Sequence, residues 1–192
     1  MDPMATRGGR PRGFERETAL RAAVDVFWAR GYAATSLDDL LAAMGIARSS
    51  FYAAWGSKHA LLLAGLGLYT DELFARMRAA ADAASDAREA LARVLDIAAC
   101  SDRPDHGCLF VNAATELSAD DPDVHALARA HLGRVDRLIA SLFRKAGHAT
   151  AEARKRSALL LAVATGALTL RKAGEPEARI RETLARFLAL GV

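Results

Sequence analysis

Between Arg48 and Lys58 the sequence RSSFYAAWGSK sets an arginine, two serines, a tyrosine and a lysine within about three helical turns. Arginine presents a fork that bonds two acceptors on a guanine edge, and a serine hydroxyl bonds several base edges. Arg48 and Ser50, with Ser49 between them, therefore suit base reading. Tyr52 and Lys58 suit phosphate oxygens, contacts that fix register without reading sequence. For Tyr52 a place in the hydrophobic core is the competing expectation, and Trp55 is expected to pack. Ser36, at the head of the preceding apolar run, is a further contact candidate. The first residues, MDPMATRGGRPRG, form either a solvated tail or an arm whose Arg10 or Arg12 reaches phosphates or an adjacent minor groove.

These side chains need two short helices at a fixed angle, and Thr35–Leu62 supplies them. Ser36 followed by Asp39 is an S-x-x-D capping pattern. Leu37, Leu40, Leu41 and Met44 recur at i, i+3, i+4 and i+7, one apolar helical face. Gly45 stands where a helix ends in a left-handed residue, and Ile46 plugs the corner. A second helix then starts near Ala47. Two helices joined by a short glycine turn form a helix-turn-helix, whose second helix enters the major groove. A first helix over Phe14–Gly31, with Leu20, Ala23, Val24 and Phe27 on one face, completes a three-helix unit.

The segment IARSSFYAAWGSKHALL resembles the recognition region of the TetR family of transcriptional repressors. Ile46, Ser50, Phe51, Tyr52, Trp55, Ser57, Lys58, Ala60 and Leu61 match the family pattern, counting conservative matches. Ala47, Ser49 and Ala54 depart from it: the family carries serine, glycine, and histidine or tyrosine at those places. The resemblance implies a homodimer on a palindromic double-stranded operator and release by a small-molecule effector. The competing reading is a helical interaction protein whose helix-turn-helix no longer binds DNA, which Ala47, Ala53 and Ala54 leave open.

Further along, Ser57 caps a fourth helix running to about Ala83, and a fifth spans about Ala87–Cys100. Ser101–His106 is a loop, and a sixth, short helix runs from about Cys108 to Leu117. Asp121-Pro122 is a start signal, since aspartate caps and proline is tolerated at the first helical position. That seventh helix ends near Gly147. Ala151–Lys172 is apolar nearly all round from Ala158 to Leu170, so it is buried on more than one side. Ala158, Ala162 and Gly166 form a strip of small residues on it. Pro176 opens a last helix with Ile180, Leu184, Phe187 and Leu188 on one stripe. Spare apolar surface on the last two helices suits a four-helix bundle between two subunits. The expected fold is all-α with about nine helices. An arm and helix-turn-helix DNA-binding domain occupies residues 1–56, and a larger helical ligand-binding and dimerisation domain occupies residues 57–192.

GCLFVNAATEL, headed by Gly107-Cys108, resembles a branch of the TetR family in which some members sense electrophiles or oxidants through that cysteine. A cysteine in the first turn of a helix has its pKa lowered by the helix dipole. The competing expectation for Cys108 is a small buried hydrophobe. Asn112 and Glu116, four apart, could present polar groups to a ligand or to solvent. In the family the cavity is enclosed by the middle helices. The candidate lining is Phe74, Met77, Cys108, Asn112, Glu116 and Phe143, which suits a small, mostly apolar or electrophilic effector.

Composition bounds the alternatives. Of 192 residues, 52% are hydrophobic and 6% aromatic, against an all-β fold. Net charge is +3 and the pI about 9.1, too mild alone to imply nucleic acid. Cys100 and Cys108 make no C-x-x-C pair, and the five histidines have no metal-ligand spacing, so no metal is expected. No nucleophile elbow, phosphate-binding glycine loop or paired-carboxylate signature is present. Neither an enzyme nor a cofactor is expected. No apolar signal region opens the chain, and the uncharged run Ser157–Leu170 is shorter than the ~20 residues of a membrane helix. A soluble cytoplasmic protein with no membrane partner is the expectation.

Overall fold

Residues 12–99 and 106–189 are described by the structure, a computed structural model; of residues 12–15 only the backbone is described. Arg10 and the side chain of Arg12, offered as reaching phosphates or an adjacent minor groove, and Cys100 lie outside that description. The described residues form nine helices: α1 (Arg12–Arg30), α2 (Leu37–Met44), α3 (Arg48–Trp55), α4 (Lys58–Asp82), α5 (Ala87–Ala99), α6 (Leu109–Leu117), α7 (Pro122–Lys145), α8 (Thr150–Lys172) and α9 (Glu177–Ala189).

Two compact units divide the chain, Met1–Gly65 and Leu66–Val192. The division falls inside α4, past residue 56 where α3 has ended, because the first turns of α4 pack on α1. A Cβ on Gly65 would lie 2.8 Å from Cγ2 of Val24, so only a glycine permits this approach.

In the first unit, α2 starts at a complete capping box. Ser36 Oγ accepts the Asp39 amide at 3.1 Å, and the Ser36 amide donates to Asp39 Oδ2 at 3.0 Å. Gly45 ends α2 at φ +63°, left-handed backbone that glycine adopts without a Cβ clash. Ala47 gives α3 no side-chain cap. A missing cap costs ~1 kcal/mol, while full burial of a phenylalanine contributes ~1.5–3 kcal/mol. Phe51 is completely buried, so packing outweighs the missing cap. Leu40, Met44 and Phe51 share the core with Ala19, Ala23, Val24 and Phe27.

In the second unit α7 lies along α5, α6 and α8, and α9 lies on α5 and α8. Asp121 caps α7, accepting the amides of Asp123 and Val124, with Pro122 at the first turn. Val94, Leu95, Ile139, Leu142, Phe143 and Leu160 are among the large side chains of the core. Ala153, Ser157 and Ala164 let α8 come close to α7, and Ser157 Oγ donates to Asp136 Oδ1 at 2.6 Å. The other side of α8 is open in the single chain. Leu159 and Leu170 are 51% and 54% exposed, and Ala158, Ala162 and Gly166 are exposed beside them. Phe187 and Leu188 are partly buried against the chain's own core. Among the described residues no helix is long and apolar enough to cross a membrane.

Candidate DNA-reading helix and effector cavity

α3 has an inward and an outward side. Phe51 and Trp55, i and i+4, face in, with ring centroids 6.1 Å apart. α1 clamps the end of α3 through Arg16, which donates from Nη2 to Ala54 O at 2.9 Å while its guanidinium lies 5.6 Å from the Trp55 ring. Neither the arginine nor its partner announces this contact in sequence, since the two are 38 residues apart. Arg48, Ser49, Ser50 and Tyr52 are all exposed. Tyr52 is 50% exposed, which overturns the core placement, and its ring meets the Phe51 ring edge-on.

Three expected DNA contacts carry internal bonds as well. Arg48 Nη2 pairs with Asp38 Oδ1; both groups are exposed, and such a pair is worth ~0–1 kcal/mol, so the arginine is readily released. Ser36 is committed to its cap: its hydroxyl donates to Asp39 Oδ2 at 2.6 Å. The two Ser36 hydrogen bonds, then Arg30 at 2.7 Å, hold the Asp39 carboxyl down at about 2. Lys58 departs furthest from expectation. Its ammonium donates to Thr35 O and lies 4.2 Å from the Tyr32 ring centroid. It therefore ties the start of α4 to the turn before α2, where Thr35 is buried and donates to Gly31 O at 2.6 Å.

The expected effector lining is brought together only in part. Met77 and Cys108 meet at a small cavity of about 40 Å³, with Phe110, His131, Leu161 and Leu168 among its walls. Phe74 faces a separate cleft between α4 and α7. Phe143 is 1% exposed in the core, edge-on to His148. Asn112 bridges the protein itself: Nδ2 donates to His106 O at 2.8 Å and Oδ1 accepts from Lys172 Nζ at 3.0 Å. Glu116 is exposed. The reason lies at Cys108, which is the N-cap of α6 with extended backbone, φ −100° and ψ 123°. The i, i+4 rule that placed Asn112 and Glu116 on its face starts only inside the helix.

Cys108 also reverses the dipole expectation. Burial pushes its thiol up, and the Tyr69 hydroxyl, 3.5 Å from Sγ, opposes this only in part. A buried thiol loses more by ionising in an apolar surround than a helix end returns.

Two family models cover most of the chain. Residues 19–64 match that of bacterial regulatory proteins of the tetR family, and residues 80–185 match the C-terminal domain of LmrA/YxaF-like transcriptional regulators. The chain belongs to the TetR family. Escherichia coli (strain K12) ComR, an HTH-type transcriptional repressor, is 36% identical over 124 residues, 60% of this chain and 57% of ComR. Bacillus subtilis (strain 168) YezE, an HTH-type transcriptional regulator, is 32% identical over 120 residues, 60% of this chain and 61% of YezE. The matches thus span about three fifths of these relatives. Among solved structures, a cysteine mutant of the TetR-family regulator CifR, complexed with 26-base-pair operator DNA, is 33% identical. That match covers 94% of this chain and 98% of CifR at a TM-score of 0.80. Streptomyces coelicolor SCO4454 shares the fold at 23% identity and TM-score 0.82, over 92% of this chain and 93% of its own.

In this TetR-family chain His131, assigned no role from the sequence, lines the cavity together with Thr165. It is 4% exposed, with its ring 4.6 Å from that of Phe110. Burial first, then the Arg134 charge, lowers its pKa to about 4, against a raising effect of Asp71. Below the ordinary value of 6.5 the unfolded chain takes up a proton that the folded chain refuses until about pH 4. Stability is then lost as pH falls through that window. We expect a loss of ~1 kcal/mol between pH 7 and 5.5 from this group. Urea midpoints at the two pH values should differ less in His131→Leu than in the wild type; equal differences would sink the assignment.

Proposed function

We propose that the chain is a homodimeric repressor, acting in the cytoplasm, that binds a palindromic operator through α3 and is released by a small-molecule effector. The outward face of α3 carries the reading: Arg48, Ser49, Ser50 and Tyr52 stand exposed on a helix anchored behind by Phe51 and Trp55. CifR, alike over nearly its whole length, has been captured on operator DNA, and ComR is named a repressor. Residues 1–56 act as the DNA-binding part and the helices from α4 onward as the effector and dimer part. The interaction-protein alternative predicts no sequence preference. Selection of bound DNA from a random pool should therefore return an inverted repeat; recovery of unselected sequence alone would overturn the proposal.

The effector site is centred on Met77, Cys108 and His131. Its volume of about 40 Å³ is far below the ~300 Å³ of a usual ligand pocket, so binding opens it. The effector releases DNA only by favouring the opened, DNA-incompetent state; equal affinity for both states shifts nothing. The walls call for a small, mostly apolar molecule. Modification of Cys108 is a second route, favoured by its place on the cavity wall and by the cysteine substitutions in operator-bound CifR. Its raised pKa makes that route slow until the cavity opens. N-ethylmaleimide should then release DNA from the wild type but not from Cys108→Ser. Mass spectrometry finding Cys108 unmodified at releasing doses would leave reversible occupancy as the mechanism.

A further inference from the structure

Apart from the effector cavity, the second unit holds a cleft of about 350 Å³ between the C-terminal half of α4 and α7, within the size range of small-molecule sites. One wall is Phe74, Arg78, Ala81 and Asp82; the other includes Arg134, Arg137, Leu138, Leu142 and Lys145. The spacings, i, i+4, i+7, i+8 on α4 and i, i+3, i+4, i+8, i+11 on α7, put each set on one helical face. Four cations and one carboxylate line it, 4 − 1 = +3, which Asp71, paired with Arg134 at its edge, lowers to 3 − 1 = +2. The carboxylate, Asp82, stands 3.9 Å from Arg78. Arg137 and Lys145 have no acidic partner among the described residues. Arg134 is fixed in place: its guanidinium lies 5.0 Å from the Phe74 ring centroid and Nη1 pairs with Asp71. Its Nε is shielded from solvent with no hydrogen-bond partner.

We infer that this cleft binds an amphipathic organic anion, with an apolar body against Phe74, Leu138 and Leu142 and an anionic head among Arg134, Arg137 and Lys145. Clustered cations over low-dielectric walls concentrate anions. Guanidinium forks bond planar or tetrahedral oxyanions at two points, and the apolar floor selects against bare inorganic ions. Neither family membership nor the effector cavity assigns this site, and the inference does not rest on DNA binding.

The test uses 8-anilinonaphthalene-1-sulfonate and N-phenyl-1-naphthylamine, the same apolar body without the sulfonate, on the full chain. The charge reversal R137E/K145E alters exposed side chains without ion-pair partners, so the fold is kept, as circular dichroism will verify. R154E/K155E, on exposed positions of α8, changes net charge equally and serves as control. Sulfonate-dye affinity should drop at least tenfold in R137E/K145E and stay within twofold in the control, with the neutral dye unchanged in both. Octanoate should displace the sulfonate dye from the wild type, and inorganic phosphate at the same concentration should not. Unchanged sulfonate-dye affinity in R137E/K145E, an equal loss in the control, or a parallel loss of the neutral dye would each overturn the site. Displacement by phosphate as effective as by octanoate would overturn its amphipathic character.

Discussion

Arg48→Ala will lower affinity for the selected operator by ~1–3 kcal/mol, a factor of roughly five to 150, while leaving binding to unrelated DNA nearly unchanged. The Asp38 pair does not protect against this, because both groups are exposed and the pair is worth little in water. Lys58→Ala has a different expected signature. Had the ammonium been free, its loss would weaken specific and non-specific binding alike and reduce the salt slope by about one. Its bond to Thr35 O and its place over Tyr32 add a cost to the fold of the first unit. A drop in melting temperature should therefore accompany any loss of DNA binding in Lys58→Ala, and be absent in Arg48→Ala. An unchanged melting temperature in Lys58→Ala with a flatter salt dependence would restore the pure phosphate role. Equal effects of the two substitutions on the specificity ratio would show that the roles are wrongly divided.

What the sequence made legible follows from how far apart the interacting groups stand. The start of α2, its end at Gly45 and the start of α7 are written in neighbouring residues: Ser36 with Asp39, a single glycine, Asp121 with Pro122. Each is a backbone device closing within three or four positions, and each stands where its residues put it. Apolar periodicity likewise located the core positions of α2, where Leu40 and Met44 are buried. Several side-chain contacts that the sequence did not foretell depend on distant partners. Lys58 finds a carbonyl 23 residues away and Asn112 a lysine 60 away, and Arg16, given no role from the sequence, finds a carbonyl 38 away. Nothing periodic links such pairs. Cys108 illustrates a second limit, because a helix boundary one residue off turns a predicted helical face into an N-cap. Burial, a property of the packed unit, then reverses the sign of a pKa argument made from the helix end alone.

The same distinction decides how the dimer should be attacked. Phe187, on the α9 stripe expected at the interface, is partly buried against the core of its own chain. Phe187→Asp should therefore destabilise the second unit as well as separate subunits, so it cannot isolate the dimer contact. The open side of α8 is the better target. Leu159, Ala162, Gly166 and Leu170 lie at i, i+3, i+7 and i+11, one face of the helix, and a Cβ on Gly166 would meet nothing within 4 Å in the single chain. Leu159 and Leu170 are each half exposed, so burial against a second copy would contribute ~0.8–1.5 kcal/mol per side chain per subunit, half the value for a fully exposed leucine. Leu159→Glu with Leu170→Glu removes that gain and places charges in an apolar seam, while leaving the buried face, Leu160, Ala164 and Leu168, intact. We expect folded monomers by sedimentation, with the helical circular dichroism of the wild type. Joining two reading heads raises affinity by roughly 10²–10⁴-fold over one alone, so operator affinity should fall by about that factor. Half-site affinity should be unchanged. A dimer that survives the double substitution places the two-fold elsewhere on the chain. Monomers that still hold the full operator with wild-type affinity would show that pairing of two α3 helices contributes nothing to recognition.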